Sequence, residues 1–179
     1  FPTFVTSYSD DEDLNCQLDE WLRENESEIN RAREAEKTYF AESFAQATLC
    51  GAVLQVAAKA IDCFSNNQSM PTDLHSNIQI KPKQVKYCVG RKIGTIPIGL
   101  IIYAGRNQHT HFEDSDLHSM SKSVLELLAV ERSPCAQTPD PAFDLHNGST
   151  LVSFANNITA ILGWRSYTAY ETDLRAMLS

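Results

Sequence analysis

The sequence predicts an all-α fold, and three observations carry that expectation. Apolar residues recur at helical spacing through most of the 179 residues. Clear alternating strands are absent; only at 93–103 does a short apolar run suit either state. The two long breaks in the helical pattern, 65–82 and 133–149, are rich in Asn, Ser and Pro, as loops are. The expected architecture is one domain over residues 1–179, with about five or six helices and long connections.

The elements follow in order. Ser9-Asp10-Asp11-Glu12 has the S-x-x-E form of a capping box. Leu14, Leu18, Trp21, Leu22, Ile29 and Ala32 then keep helical spacing, so one amphipathic helix is expected over about 11–36. A second is expected over about 39–64. It carries Phe40, Phe44, Leu49, Val53, Leu54, Val56, Ile61 and Phe64, is apolar on most sides, and should lie centrally in the core. A short helix at 83–90 follows the first loop. Pro97 suits the first turn of a helix running to about 108. Asp114, Ser115 or Asp116 caps the next helix, with Leu117, Met120, Val124, Leu127 and Leu128 inward. Residues from Leu151 on are helical again, through Phe154, Ile158, Ile161 and Leu162. They break at Gly163 and resume with Trp164, Tyr167, Tyr170, Leu174 and Met177.

Composition removes several classes. Apolar residues make up 42%, which argues against wholesale disorder. No window approaches the roughly 18 unbroken apolar residues of a membrane helix, so no membrane partner is expected. The start, FPTFVTSYSDDED, does not read as a signal peptide. The five cysteines, 16, 50, 63, 88 and 135, form no C-x-x-C pair; they read as reduced, buried thiols of a cytoplasmic protein. The sequons at Asn25, Asn67, Asn147 and Asn157 are then chance matches. Neither a phosphate-binding glycine loop nor G-x-S-x-G is present.

The net charge of −8 is unevenly spread. Residues 1–36 hold 11 acids and 3 bases, and the remainder holds 12 of each. Between Leu74 and Phe112 there is no acid, while Lys81, Lys83, Lys86, Arg91, Lys92 and Arg106 are all present. Such a stretch is often only a solvated face. Ending at a histidine cluster, it is also what RNA would favour.

That cluster is GRNQHTHFED, residues 105–114, directly after the apolar run IPIGLIIY. Tyr103, Arg106 and His109 fall roughly on one helical face. Arg106 and His111 are five apart and converge only if the helix ends or kinks between them. Arginine presents a fixed fork to a phosphate, and histidine exchanges a proton near neutrality. Together they could promote attack of a ribose 2′-OH on the adjacent phosphate with no metal or other cofactor. Tyr103 and Asn107 would support them.

The R-N-x-x-x-H of Arg106 to His111 resembles the R-x(4–6)-H signature of the HEPN superfamily, in which a polar residue often follows the Arg, as Asn107 does here. The resemblance implies a HEPN-like helical bundle, commonly a homodimer, in which Arg and His of two protomers meet in one cleft. It further implies a metal-independent endoribonuclease of toxin–antitoxin or anti-phage defence type, with RNA as substrate and an antitoxin or other defence protein as possible partner. Some members of the superfamily are inactive binding modules instead. Phe112 stands where certain toxins carry a modifiable Tyr, and His109 adds a second histidine inside the motif.

Two other readings compete. His109, His111 and Glu113 form H-x-H-x-E; on a strand all three would share a face and could bind a metal. The plainest reading is that Arg106, Glu113 and Asp114 make surface ion pairs at the end of a core helix. His75, His118 and His146 have no evident partners and are expected in solvent. The Trp164, Tyr167, Tyr170 and Leu174 stripe reads as core or dimer interface.

Overall fold

A computed structural model describes residues 2–7, 10–111, 117–133, 138–145 and 153–178. Six α-helices, one 3-10 helix and one very short hairpin make up the regular structure of these residues, so the class is all-α. The described chain separates into two compact units, Phe1–Phe44 and Ala45–Ser179.

In the first unit, α1 spans Asp11–Glu24. Its cap is Asp10, whose carboxylate accepts the Asp13 N–H at 2.9 Å. Asp11, Glu12 and Asp13 then set negative charge at the positive end of the helix dipole. Ser9, the expected cap, lies outside the described residues. Phe4 meets Trp21 edge-on at 5.6 Å. None of the described residues of this unit is buried.

The helix α2 spans Glu26–Phe64, 39 residues without interruption. The break expected near residue 37 instead falls at Asn25, whose amide donates to the Trp21 carbonyl at 2.8 Å. In the second unit α2 buries one face only: Ala47, Gly51, Leu54, Ala57, Ala58 and Ile61. Of its other apolar residues, Leu49, Val53, Val56 and Phe64 are exposed. The expectation that this helix is the centre of the core is therefore corrected. By length and composition α2 could cross a bilayer, but core helices of soluble proteins pass the same test, and 33% of its most apolar stretch is buried.

The centre of the core is α3, Ile98–Thr110. Ile98, Leu100, Ile101, Ile102 and Ala104 have no solvent exposure, so all sides of its first two turns are covered. It packs against α4 (Ser119–Glu131), α5 (Ala155–Ile161) and the 3-10 helix Pro82–Tyr87. Gly105 lets Ile158 and Leu54 approach closely. Strands β1 (Lys92–Ile93) and β2 (Ile96–Pro97) pair antiparallel just before α3, and Pro97 is its N-cap. The region suspected of strand character thus holds a two-residue ladder followed by helix. Finally, α6 (Tyr167–Leu178) is tied back by Asp173, which accepts from Arg91 at 2.9 and 3.0 Å and from the Trp164 indole at 2.9 Å.

The expected caps Asp114, Ser115 and Asp116 lie outside the described residues; α4 begins after His118 with no side-chain cap. The four described cysteines are free thiols, but Cys16 and Cys63 are exposed, Cys50 is half-buried and only Cys88 is buried. His118 is exposed as expected, whereas His75 is half-buried and its Nδ1 accepts the Asn77 N–H at 3.3 Å.

Candidate functional site

Two pieces of the acid-free window and one face of α2 surround a single cavity. The 3-10 helix brings Lys83, Gln84 and Tyr87, α3 brings Tyr103 and Arg106, and α2 brings Gln55, Lys59 and Asp62. The cavity they line is half-open and holds about 290 Å³. Its lining carries three cations and one carboxylate.

Arg106 lines this cavity beside Tyr103. Its guanidinium carbon sits 5.2 Å from the centroid of the Tyr103 ring, within cation–π range. Its Nε is buried and makes no hydrogen bond. Among the described residues no carboxylate pairs with it. A buried donor without a partner costs about 1–3 kcal/mol, so this arginine is held at the expense of stability. Asp62, the one carboxylate nearby, accepts from Lys86 at 2.9 Å and lies 3.5 Å from Lys59. The Lys86 hydrogen bond holds its carboxyl below the ordinary value.

The aromatic wall is fixed. Tyr87 and Tyr103 meet edge-to-face at 4.7 Å. The Tyr87 hydroxyl donates to the Ala58 carbonyl at 3.1 Å. Burial pushes its pKa up to about 12, with Asp62 adding to the rise and Arg106 opposing it. The phenol is therefore a neutral donor at any physiological pH.

The remaining residues of the cluster diverge. Asn107 and Gln108 are buried. The Asn107 amide donates to Ser121 Oγ of α4 at 3.0 Å, and Gln108 Oε1 accepts the Phe154 N–H, ahead of α5, at 2.7 Å. Both brace the bundle, so Asn107 has no side-chain reach toward the cavity. His109 Nδ1 bonds Ser153 Oγ at 2.8 Å, and its ring lies over Gly51 of α2. Burial holds its pKa below the usual histidine value. His111 is exposed at the C-cap of α3, where its N–H still reaches the Asn107 carbonyl at 3.0 Å.

The helix therefore runs two residues beyond the expected end at 108. On a regular helix Arg106 and His111 then point about 140° apart, and His111 is not among the cavity residues.

The same geometry bears on the metal reading. His109 lies in the last turn of α3 and His111 is its C-cap, not on a strand, so alternate residues share no face. Among the described residues no group of three His, Cys, Asp or Glu could hold a metal. Glu113 lies outside the described residues.

No protein-family model, curated protein or solved structure matches the chain.

The other basic residues of the window have separate placements. Arg91 is committed to Asp173 and to the Leu162 carbonyl, at 2.6 Å. Lys92 pairs with Asp73 at 2.5 Å, and Lys86 with Asp62. Lys81 heads the 3-10 helix, its N–H donating to Gln84 Oε1 at 2.8 Å, and is exposed. Only Lys83 of the five lines the cavity. Sequence reasoning missed Lys59, Gln55 and Tyr87. No local pattern connects them to residue 106; proximity in the fold does.

Proposed function

We propose that this chain is a HEPN-like RNA-binding domain that acts as a metal-independent endoribonuclease, with Arg106 as the phosphate-holding group. The observation that carries the reading is the buried, unpartnered Nε of Arg106 in a cavity with an excess of cations. A guanidinium with no carboxylate partner among the described residues retains its donors for an anion. A phosphate diester fits, because Arg106 would gain charge-assisted hydrogen bonds while Lys59 and Lys83 lie within the same cavity.

In the proposed reaction the 2′-OH loses its proton to the His111 imidazole as its oxygen bonds to the adjacent phosphorus. Arg106 holds the charge gathering on the phosphoryl oxygens. The P–O5′ bond breaks and the leaving oxygen takes up a proton. The products are a 2′,3′-cyclic phosphate and a 5′-OH end. Because Arg106 and His111 of one chain diverge around α3, the histidine facing a given Arg106 comes from a second copy, in keeping with the composite cleft implied by the HEPN resemblance. His109, held by Ser153 and Gly51, is a positioning residue. A cytoplasmic toxin or anti-phage role, with an antitoxin or other defence protein as partner, belongs to the same proposal.

The test is cleavage of a mixed RNA pool in EDTA by the wild type, Arg106→Ala and His111→Ala. Cleavage by the wild type alone, with cyclic-phosphate ends, supports the reading. The same divergence of Arg106 and His111 favours a second reading, a non-catalytic RNA-binding module. Tight RNA binding that depends on Arg106, without cleavage, selects it.

A further inference from the structure

We propose that the outer face of α2 is the contact through which two copies of this chain associate, with their α2 helices packed antiparallel. The core-facing side of α2 is spent on Leu54, Ala58 and Ile61. A second apolar stripe runs along the opposite side: Leu49, Val53, Val56, Ala60 and Cys63. Its spacing alternates four and three, the a/d seam of a coiled coil. A lone helix in water has no use for such a seam, because its apolar side chains stay wet.

The exposures are large: 70% for Leu49, 38% for Val53 and 61% for Val56, with 66% for Phe64 at the helix end. Tyr167 of α6, 73% exposed, borders the stripe across a groove lined by Val53, Val56, Trp164 and Tyr170. These side chains alone offer on the order of 500 Å² per copy, more than half of the ~800 Å² per partner in a standard interface. The stripe is thus large enough to seed a dimer.

The register points to a second copy. In an antiparallel pair each a position faces a d position of the partner helix. Val53 then meets Val56 of the other copy, and Leu49 meets Ala60, each contact occurring twice about a two-fold axis. Every layer holds a similar volume, as close packing requires. A parallel pair would stack Leu49 on Leu49 and Ala60 on Ala60, one layer crowded and the next hollow. Lys59 occupies position g, with Gln55 and Asp62 beside it. In the antiparallel pair the two g edges adjoin, so both Arg106 cavities open on one side of the dimer. The association stands whether or not the domain cleaves RNA.

Sedimentation equilibrium of the full chain, with Val56→Lys beside the wild type, reads the association directly. The expected result is a wild-type dimer and a Val56→Lys monomer with unchanged helical circular dichroism. A wild type that stays monomeric up to about 100 μM overturns the proposal. So does a dimer that survives Val56→Lys, or a monomer that instead floats with phosphatidylcholine vesicles. Register is read by mixing Leu49→Cys and Ala60→Cys chains under mild oxidation and mapping the linked peptides. A 49–60 disulfide between copies supports the antiparallel pair even if Val56→Lys folds poorly. A native Cys63–Cys63 disulfide between copies in its place overturns it.

Discussion

The imidazole of His109 occupies the space that a side chain at Gly51 would need. A Cβ built at position 51 would fall well inside van der Waals contact with the ring. Gly51 is mid-helix in α2, where glycine costs about 1 kcal/mol relative to alanine. That cost is offset by the close approach of α3. Gly51→Ala is therefore expected to lower stability by about 1–3 kcal/mol, despite its better helix propensity. Denaturant unfolding checks this, and a stabilised Gly51→Ala would refute the contact.

His109 also sets a pH dependence. Burial lowers its folded pKa below that of the unfolded chain, so the folded state prefers the neutral ring. Between the two values the unfolded chain binds the extra proton, and stability rises with pH. The contribution is fully present above the ordinary histidine value of about 6.5 and is lost as pH falls through the depressed folded value. Melting temperature followed from pH 8 to 5 should fall over this window. His109→Gln should flatten that part of the curve.

Arg106 and Arg91 should separate function from stability. Arg106→Gln removes a cation–π contact worth about 0.5–1 kcal/mol and also relieves a desolvated donor, so stability should change by less than about 1 kcal/mol. RNA affinity, read by fluorescence anisotropy, should fall roughly tenfold or more for the lost charge-assisted contact. Arg91→Ala breaks the link from the β1 region to Asp173 and Leu162. Discounted for solvent screening, it should cost about 1–2 kcal/mol and leave RNA affinity unchanged in the folded protein.

Asn107 tests the difference between motif and role. Asn107→Ala leaves Ser121 Oγ without its buried donor and should cost about 1–3 kcal/mol. Cleavage or binding per folded molecule should match the wild type. A loss of RNA affinity in a fully folded variant would instead return Asn107 to the site.

Several features were legible because they depend on near neighbours in the chain. The helical class, the apolar α3 after Pro97 and the wet acidic α1 follow from spacing and caps. The break at Asn25 was missed because both flanking segments keep helical spacing, and a one-residue kink leaves little trace in periodicity. The capping signal was shifted by one residue because a Ser hydroxyl and an Asp carboxylate can both accept an N–H at a helix start. The centrality of α3 was harder to read. A 13-residue helix covered on all sides of its first two turns looks weaker in sequence than a 39-residue helix with two apolar faces.

The sequence by itself determined that the chain is helical, that its negative charge sits at the start, and that Arg106 follows an apolar helix. These are consequences of local periodicity and composition. Tertiary structure alone decided which neighbours Arg106 meets. It turned Asn107 and Gln108 inward to brace α4 and α5, tied Arg91 to Asp173, laid His109 on Gly51, and gathered Lys59, Lys83, Tyr87 and Tyr103 into one cavity. It also left the Leu49–Val56 stripe of α2 uncovered. The reason is geometric: successive helix positions are about 100° apart, so adjacent residues of one motif face different partners, and only the packing of other helices determines which partners those are.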